Sequence, residues 1–376
     1  MAGNGLPFPD APTLAWSGKA ASRVVVAMSG GVDSSVALAL VAQQGYDAVG
    51  VMAHFWAERS CDGTAAPNKC CSPESEAIAR QVCRRMGVPF YAIDLVEPFR
   101  RAVVEPFIAD YLRGRTPNPC LNCNRDVKFG LLLDYALAQG ANYLATGHYV
   151  RIRREGDRLL LLRGLDARKD QSYVLYMLGQ RELAHALFPL GELAKAQVRA
   201  LARALGLASA ERPESQEICF VRDNDYRRFL RDVAPESIRP GPIYNSAGAR
   251  VGTHKGLPFY TIGQREGLGI AHAEPLYVLA IRPEDNALVV GTARELGRDT
   301  LVASRVSFVA GRPPPLPARI TAKIRYRARE APATLTRVEG DRAWLAFAAP
   351  LRDITPGQGV VFYDGEVVLG GGIIEA

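Results

Sequence analysis

The chain reads as an α/β protein with an N-terminal domain built on a Rossmann-like parallel sheet, followed by a small central domain and a C-terminal β-barrel. Three observations predict this. Over roughly the first two hundred residues, short apolar runs alternate with stretches of helical periodicity, as in βα units whose parallel strands are covered on both faces. From about residue 217 to 298, Gly and Pro punctuate short extended runs. From residue 299 onward, alternating runs recur with turn residues between them, as in a barrel. The expected divisions are a loose extension at 1–22, the α/β domain at 23–216, the central domain at 217–298 and the barrel at 299–376. A chain of 376 residues is too long for one ordinary core, in keeping with that division.

Taken in order, Val24, Val25 and Val26 form a continuous apolar run and start the first strand, and Gly30-Gly31 turns the chain into a helix. A second strand is expected at 48–55, a helix at 73–87 and a third strand at 90–95. Helices follow at 97–113 and 127–139, a strand at 143–146 ending in Gly147-His148, and a helix at 192–205. Extended runs are expected at 241–244, 260–263 and 277–281 in the central part, and at 320–328, 333–338, 343–347, 359–363 and 366–369 in the barrel. Pro313-Pro314-Pro315 reads as a stiff connector.

Lys and Arg number 46 against 39 Asp and Glu, a net charge of +7 that favours a polyanionic partner. No apolar run reaches the roughly 18 residues a membrane span needs, and the Gly/Pro/Ala-rich start lacks the apolar segment of a signal peptide. A reducing cytoplasmic setting is therefore expected, in which seven cysteines, an odd number, read as reactive or metal-binding and not as a disulfide framework.

The chemistry starts at Ser29-Gly30-Gly31-Val32-Asp33-Ser34-Ser35, between the first strand and its helix. Two glycines let backbone N–H groups approach an anion, the helix N-terminus favours negative charge, and Asp33 or Ser34 is placed to cap that helix. No Lys stands where a Walker A loop carries one. The segment resembles the pyrophosphate loop (PP-loop) of adenylating ATP pyrophosphatases. The resemblance implies ATP with Mg2+ held by Ala27, Met28, Ser29, Gly30, Gly31, Val32, Asp33 and Ser34, with Gly147 beside them. Met52, at the end of the second strand, reads either as packing on adenine or as a core methionine.

Cys120 and Cys123 form a C-x-x-C within residues 113–128, expected as a loop between two helices, and Cys219 stands alone further on. On spacing, the pair could be half a zinc site, a redox pair or an accident. Cys83 fits a helical core position, and Cys61, Cys70 and Cys71 read as ordinary loop thiols. Alternation over 320–329 puts Thr321, Lys323, Arg325, Arg327 and Arg329 on one outward face, suited to phosphates or merely to solvent. His148 reads as a polar or base-stacking contact, or as a buried structural histidine.

The loop Ser29-Gly30-Gly31-Val32-Asp33-Ser34-Ser35, then Thr116-Pro117-Asn118-Pro119-Cys120-Leu121-Asn122-Cys123-Asn124, Ala145-Thr146-Gly147-His148-Tyr149, Lys169-Asp170-Gln171-Ser172-Tyr173, Ile218-Cys219-Phe220, Gly263-Gln264-Arg265 and Phe362-Tyr363-Asp364-Gly365 occur in one order. From Arg23 onward the chain thereby resembles the tRNA-specific 2-thiouridylase family. The resemblance implies sulfur for oxygen exchange at C2 of the wobble uridine (U34) of certain tRNAs. Cys219 would carry a persulfide delivered by a sulfur-donor protein, and Cys123 would be its partner thiol, leaving a Cys123–Cys219 disulfide. Asn118 and Pro119 would border the flipped base, Cys120 and His148 would be further tRNA contacts, Lys169, Asp170 and Gln171 would approach the anticodon stem-loop, and Arg325, Tyr326 and Gln358 would touch the tRNA. Cys120 stands where some members carry an acidic residue, so Cys120, Cys123 and Cys219 are also a candidate ligand set for a [4Fe–4S] cluster. A PP-loop synthetase acting on a small metabolite is the other enzyme class in play.

Overall fold

The computed structural model describes Leu14 and residues 22–59, 65–67, 72–213 and 218–375. Its N-terminal sheet has five parallel strands in the order Phe90–Asp94, β2 (Asp47–His54), β1 (Arg23–Met28), Tyr143–Ala145, Ala186–Leu187. Successive residues of β1 enter opposite cores: Val25 joins Val49 and Val51 on one side, while Val24 and Val26 pack with Val36 and Leu38 of α1 (Val32–Gln43) on the other. That two-sided burial explains the unbroken apolar run. The chain leaves β1 toward β2 on one side and later returns to Tyr143–Ala145 on the other, so the sheet reverses its winding beside β1. Such a switch point is where open α/β sheets leave a crevice for ligands.

One helix keeps its expected extent to within a residue and another begins eight residues early. Residues 96–112 are continuous helix with a π-helical stretch at Arg100–Val104, and residues 119–138 are another with a π-helical stretch at Cys123–Leu132. The C-x-x-C therefore lies on the first turns of a helix and not in a loop. The local reason is Asn118-Pro119: the Asn118 carboxamide accepts from the Cys120 N–H at 3.1 Å, and proline occupies the first helical position, where a missing N–H costs nothing.

The central domain holds a four-stranded sheet, Arg250–His254, Gly241–Asn245, Ala287–Gly291, Tyr277–Arg282, and the helix Tyr226–Val233. The run 260–263, expected to be extended, is instead a turn after the 3-10 segment Leu257–Phe259. In the barrel, Arg298–Phe308, Arg342–Leu351, Ala331–Glu339, Ala318–Lys323, Gly359–Asp364 and Val367–Ile374 pair in sequence, and the last pairs back to the first, closing the sheet. A hairpin not anticipated from the sequence, Val150–Glu155 with Arg158–Arg163, joins this sheet through Val367–Ile374. Strands from the first half of the chain thus extend a sheet made by the last quarter. The three prolines 313–315 connect two barrel strands. Among the described residues no helix is long and apolar enough to cross a membrane. The extension at 1–22, apart from Leu14 and Ser22, and Cys61, Cys70 and Cys71 lie outside the described residues.

Candidate active site

Gly30 sits at φ +69°, and a Cβ there would lie 2.3 Å from the Ser75 carbonyl oxygen and 2.9 Å from Arg212 Nη1. Only glycine fits a left-handed position with backbone packed directly on it. Gly31, not Asp33 or Ser34, is the N-cap of α1, and no side chain caps the helix. The hydroxyls of Ser34 and Ser35 point back to the Gly31 carbonyl, at 3.1 and 2.8 Å. In the loop itself the N–H groups of Ser29 and Gly31 donate to the hydroxyls of Ser34 and Ser29, at 3.2 and 3.4 Å, while the uncapped first turn of α1 faces the sheet's switch point as an anion cradle. Gly147 closes its other wall, since a Cβ there would fall 2.8 Å from the Asp33 carbonyl carbon and 2.9 Å from Ser34 N.

Asp33 is held from two directions. Tyr149 donates its hydroxyl to Oδ1 at 2.7 Å, and Lys195 Nζ donates to both carboxylate oxygens at 2.7 Å. Neither partner is among the site residues expected from the sequence, because only the packing of a distant helix on α1 brings Lys195 to Asp33. Lys195 opens the helix Lys195–Ala204, where a cation opposes the helix dipole, and it is buried there. Met52, toward the carboxyl end of β2, is fully buried in the core beneath α1.

Cys123 is buried within the apolar cluster on the far face of the sheet and Cys219, half-buried, packs against that cluster; neither is in a disulfide. The Cys219 segment is anchored by its neighbour. Phe220 is almost fully buried, edge-on to Phe99, Phe107 and Phe229 with centroids 6.0, 5.0 and 5.8 Å away. Phe99 and Phe107 lie on the helix 96–112, which also packs against the start of the cysteine helix. Phe220→Ala should cost about 3–5 kcal/mol of stability and loosen Cys219, which thermal unfolding and thiol-labelling rates would read.

Cys120, one turn before Cys123, is an exposed residue whose thiol is nonetheless desolvated: burial of that group raises its pKa, with Lys128 opposing. Among the described residues no group of three His, Cys, Asp or Glu side chains is placed to hold a metal ion. Cys120, Cys123 and Cys219 do not form the cluster ligand set that their types allowed. Cys83 is a core thiol as expected, pushed up to about 12 by burial, with Arg80 opposing.

The remaining expected contacts divide into structural and surface residues. His148 is buried against Phe129 and Phe188, with Nδ1 2.7 Å from Thr146 Oγ1, and burial holds it well below the usual histidine range, hence neutral. Asp170 is buried and accepts from the N–H of Gly164 and from the N–H and hydroxyl of Ser172, while Gln171 accepts from Tyr149 N at 3.0 Å. Tyr173 donates to Gly359 O at 2.9 Å, so this motif ties the α/β domain to the barrel; Lys169, its first residue, is half-buried. The outward alternation stops where the strand ends at Lys323. Arg325 turns inward, donating to Ile262 O at 3.1 Å and to Thr355 Oγ1, whereas Tyr326, Arg327 and Arg329 are exposed. Gln358 Nε2 donates to Thr116 O at 2.8 Å, and Thr116 N donates to Pro356 O at 2.8 Å, so a barrel turn sits directly on the segment leading to Asn118 and Pro119. Tyr226 of the central domain stacks on Tyr111 at 4.8 Å, just before that segment. Asn118 is half-buried and Pro119 buried.

Residues 22–223 match the family model described as the tRNA methyl transferase HUP domain, 227–292 that of the tRNA methyl transferase PRC-barrel domain, and 298–374 that of the aminomethyltransferase beta-barrel domain. The chain is 51% identical over 369 residues to the tRNA-specific 2-thiouridylase MnmA of Roseiflexus castenholzii, covering 94% of this chain and 99% of that one. It is 48% identical to the protein of that name from a second Roseiflexus species, strain RS-1, and 49% identical to that of Moorella thermoacetica, each with 94% of this chain and 99% of the relative covered. Identity of this order along nearly the whole of both chains, on an α/β–central–barrel layout with the glycine cradle at its switch point, places the chain in the tRNA-specific 2-thiouridylase family.

Proposed function

We propose that the protein is an ATP-dependent tRNA-uridine 2-sulfurtransferase acting on the wobble uridine, U34. The observation that carries this reading is an uncapped, glycine-built anion cradle in the same domain as two separated, non-disulfide cysteines, Cys123 and Cys219. A uridine C2 oxygen is a poor leaving group. Attack of that oxygen on the α-phosphorus of ATP breaks the bond to the β-phosphate and expels pyrophosphate, leaving AMP as the leaving group on C2. The loop 29–34 binds the phosphates, and Asp33 is the residue that would hold Mg2+, which supplies charge neutralisation at the phosphates when bound. A persulfide on Cys219, loaded by a donor protein, supplies the sulfur that displaces AMP. The Cys123 thiolate attacks Cys219 Sγ, the sulfur–sulfur bond to the transferred atom breaks, and a Cys123–Cys219 disulfide remains. A dithiol reductant resets it.

A small-metabolite synthetase would use the cradle but would have no need of Cys219. The test is ATP–pyrophosphate exchange with and without tRNA, together with 2-thiouridine formation from a persulfide donor. Exchange and thiolation that both require tRNA are expected; exchange supported by a small substrate and indifferent to tRNA would replace this reading.

The tRNA contact is proposed at the barrel rim and beside the cysteine helix, with Asn118, Pro119 and Cys120 nearest the base and Lys169 toward the anticodon stem-loop. Arg325 and Gln358 act there by holding the barrel against neighbouring segments, and the exposed cations Arg327 and Arg329 meet phosphate. Replacing both with Ala should weaken tRNA binding and lower the slope of log K against log salt by up to about 2 units, one per lost phosphate contact. A fluorescence titration across salt concentrations reads this, and an unchanged slope would remove these residues from the interface.

A further inference from the structure

The loop 29–35 has no lysine of its own, yet the fold brings one to it. Lys195 lies 162 residues beyond Asp33 in the chain, at the start of the helix Lys195–Ala204 that packs on α1. Its side chain is 11% exposed, and Nζ reaches both Asp33 oxygens at 2.7 Å. Two further features fix it there. Its backbone N–H donates to Asp166 Oδ2 at 3.1 Å, and its ammonium lies 5.7 Å from the Tyr149 ring, whose hydroxyl also binds Asp33. An ammonium at the first position of a helix is opposed by the helix dipole. A carboxylate at the first turn of α1 competes with any phosphate for the positive end of that helix. The ion pair offsets both costs and leaves a buried cation at the rim of the anion cradle.

We propose that Lys195 is a catalytic residue of the adenylation step, the lysine of the phosphate site supplied by a distant helix. With ATP in the cradle, its ammonium donates hydrogen bonds to the β- and γ-phosphate oxygens. As the uridine oxygen attacks the α-phosphorus and the bond to the bridging oxygen breaks, the electron pair departs on pyrophosphate. Lys195 stays protonated and stabilises that departing charge; no proton is transferred. Because Nζ is bound to Asp33 in the structure described here, the lysine also holds that carboxylate in place until nucleotide arrives. The assignment rests on the adenylating function proposed above.

Lys195→Met and Lys195→Arg, with wild type alongside, separate the two claims. Wild type lacking tRNA-dependent ATP–pyrophosphate exchange would count against the function and leave nothing for Lys195 to act on. With wild type active, Lys195→Met is expected to lose about 100-fold or more in kcat of exchange, with a smaller change in the KM for ATP, and Lys195→Arg to recover part of it. A folded Lys195→Met enzyme within about threefold of wild type, or a loss confined to KM, would overturn the proposal. If Lys195→Met does not fold, footprinting of wild type with acetic anhydride decides: magnesium pyrophosphate should slow acetylation of Lys195 while AMP does not. Equal acetylation with and without pyrophosphate would show that the lysine only ties two helices together.

Discussion

Cys219→Ala should abolish 2-thiouridine formation, a loss of more than about 10³-fold, while tRNA-dependent ATP–pyrophosphate exchange stays within about twofold of wild type. The substitution removes one sulfur atom from a half-buried position beside the buried Phe220 and leaves the loop 29–35 and its partners intact. Adenylation comes before sulfur arrives, and the adenylate should accumulate. Cys123→Ala should show the same split, because that thiol acts only when the sulfur leaves Cys219. Cys120→Ala is the contrasting variant. Burial of its thiol holds it toward the neutral form and the persulfide relay assigns it no sulfur, so most activity is retained. Loss of both iron and turnover from the anaerobically prepared Cys120→Ala protein would instead show that the three thiols reorganise around a cluster.

The second large effect falls on the cradle. Gly30→Ala places a Cβ 2.3 Å from the Ser75 carbonyl oxygen at a φ of +69°. The left-handed conformation alone costs about 1–2 kcal/mol for an L-residue, and a backbone carbonyl cannot rotate away as a side chain would. The loop must shift, and exchange activity should fall by more than about 100-fold while tRNA affinity changes less than twofold, since the barrel rim is untouched. Asp33→Ala should give the same loss by another route, removing the carboxylate that Lys195 and Tyr149 hold in place. Equilibrium tRNA binding beside the exchange assay checks both; full exchange in either variant would remove the loop from the reaction.

The parts of this molecule legible from sequence were those written locally. The buried β1 run, the glycine pair and the Cys-x-x-Cys needed only neighbouring residues to be recognised. The N-cap lies two residues before Asp33 because the helix begins at Val32, directly after the glycine turn, which puts Asp33 inside the first turn where its carboxylate meets Lys195. The helical start at Asn118-Pro119 was hidden because Asn and Pro are turn residues until a helix follows them. The arginine stripe at 320–329 failed for a different reason. Alternation extends formally past Lys323, but the strand ends there, and Arg325 finds partners at Ile262 and Thr355. The hairpin Val150–Glu155 with Arg158–Arg163 shows alternation and a turn, yet its partner strand lies some two hundred residues away at Val367–Ile374, which no local pattern reveals. Lys195 was missed on the same ground, since only the packing of its helix on α1 brings it to Asp33.

In the proposed reaction, adenylation of tRNA and sulfur release from Cys219 are two steps of one turnover. A single-turnover reaction measures this most directly. Enzyme carrying a labelled persulfide on Cys219 is mixed anaerobically with ATP, magnesium and tRNA, without reductant. AMP, pyrophosphate, labelled 2-thiouridine and the peptide disulfide are then quantified by mass spectrometry. Equal amounts of all four are expected, with the disulfide joining Cys123 to Cys219. Labelled 2-thiouridine formed without AMP, or formed in full with Cys123 and Cys219 both still thiols, would contradict it.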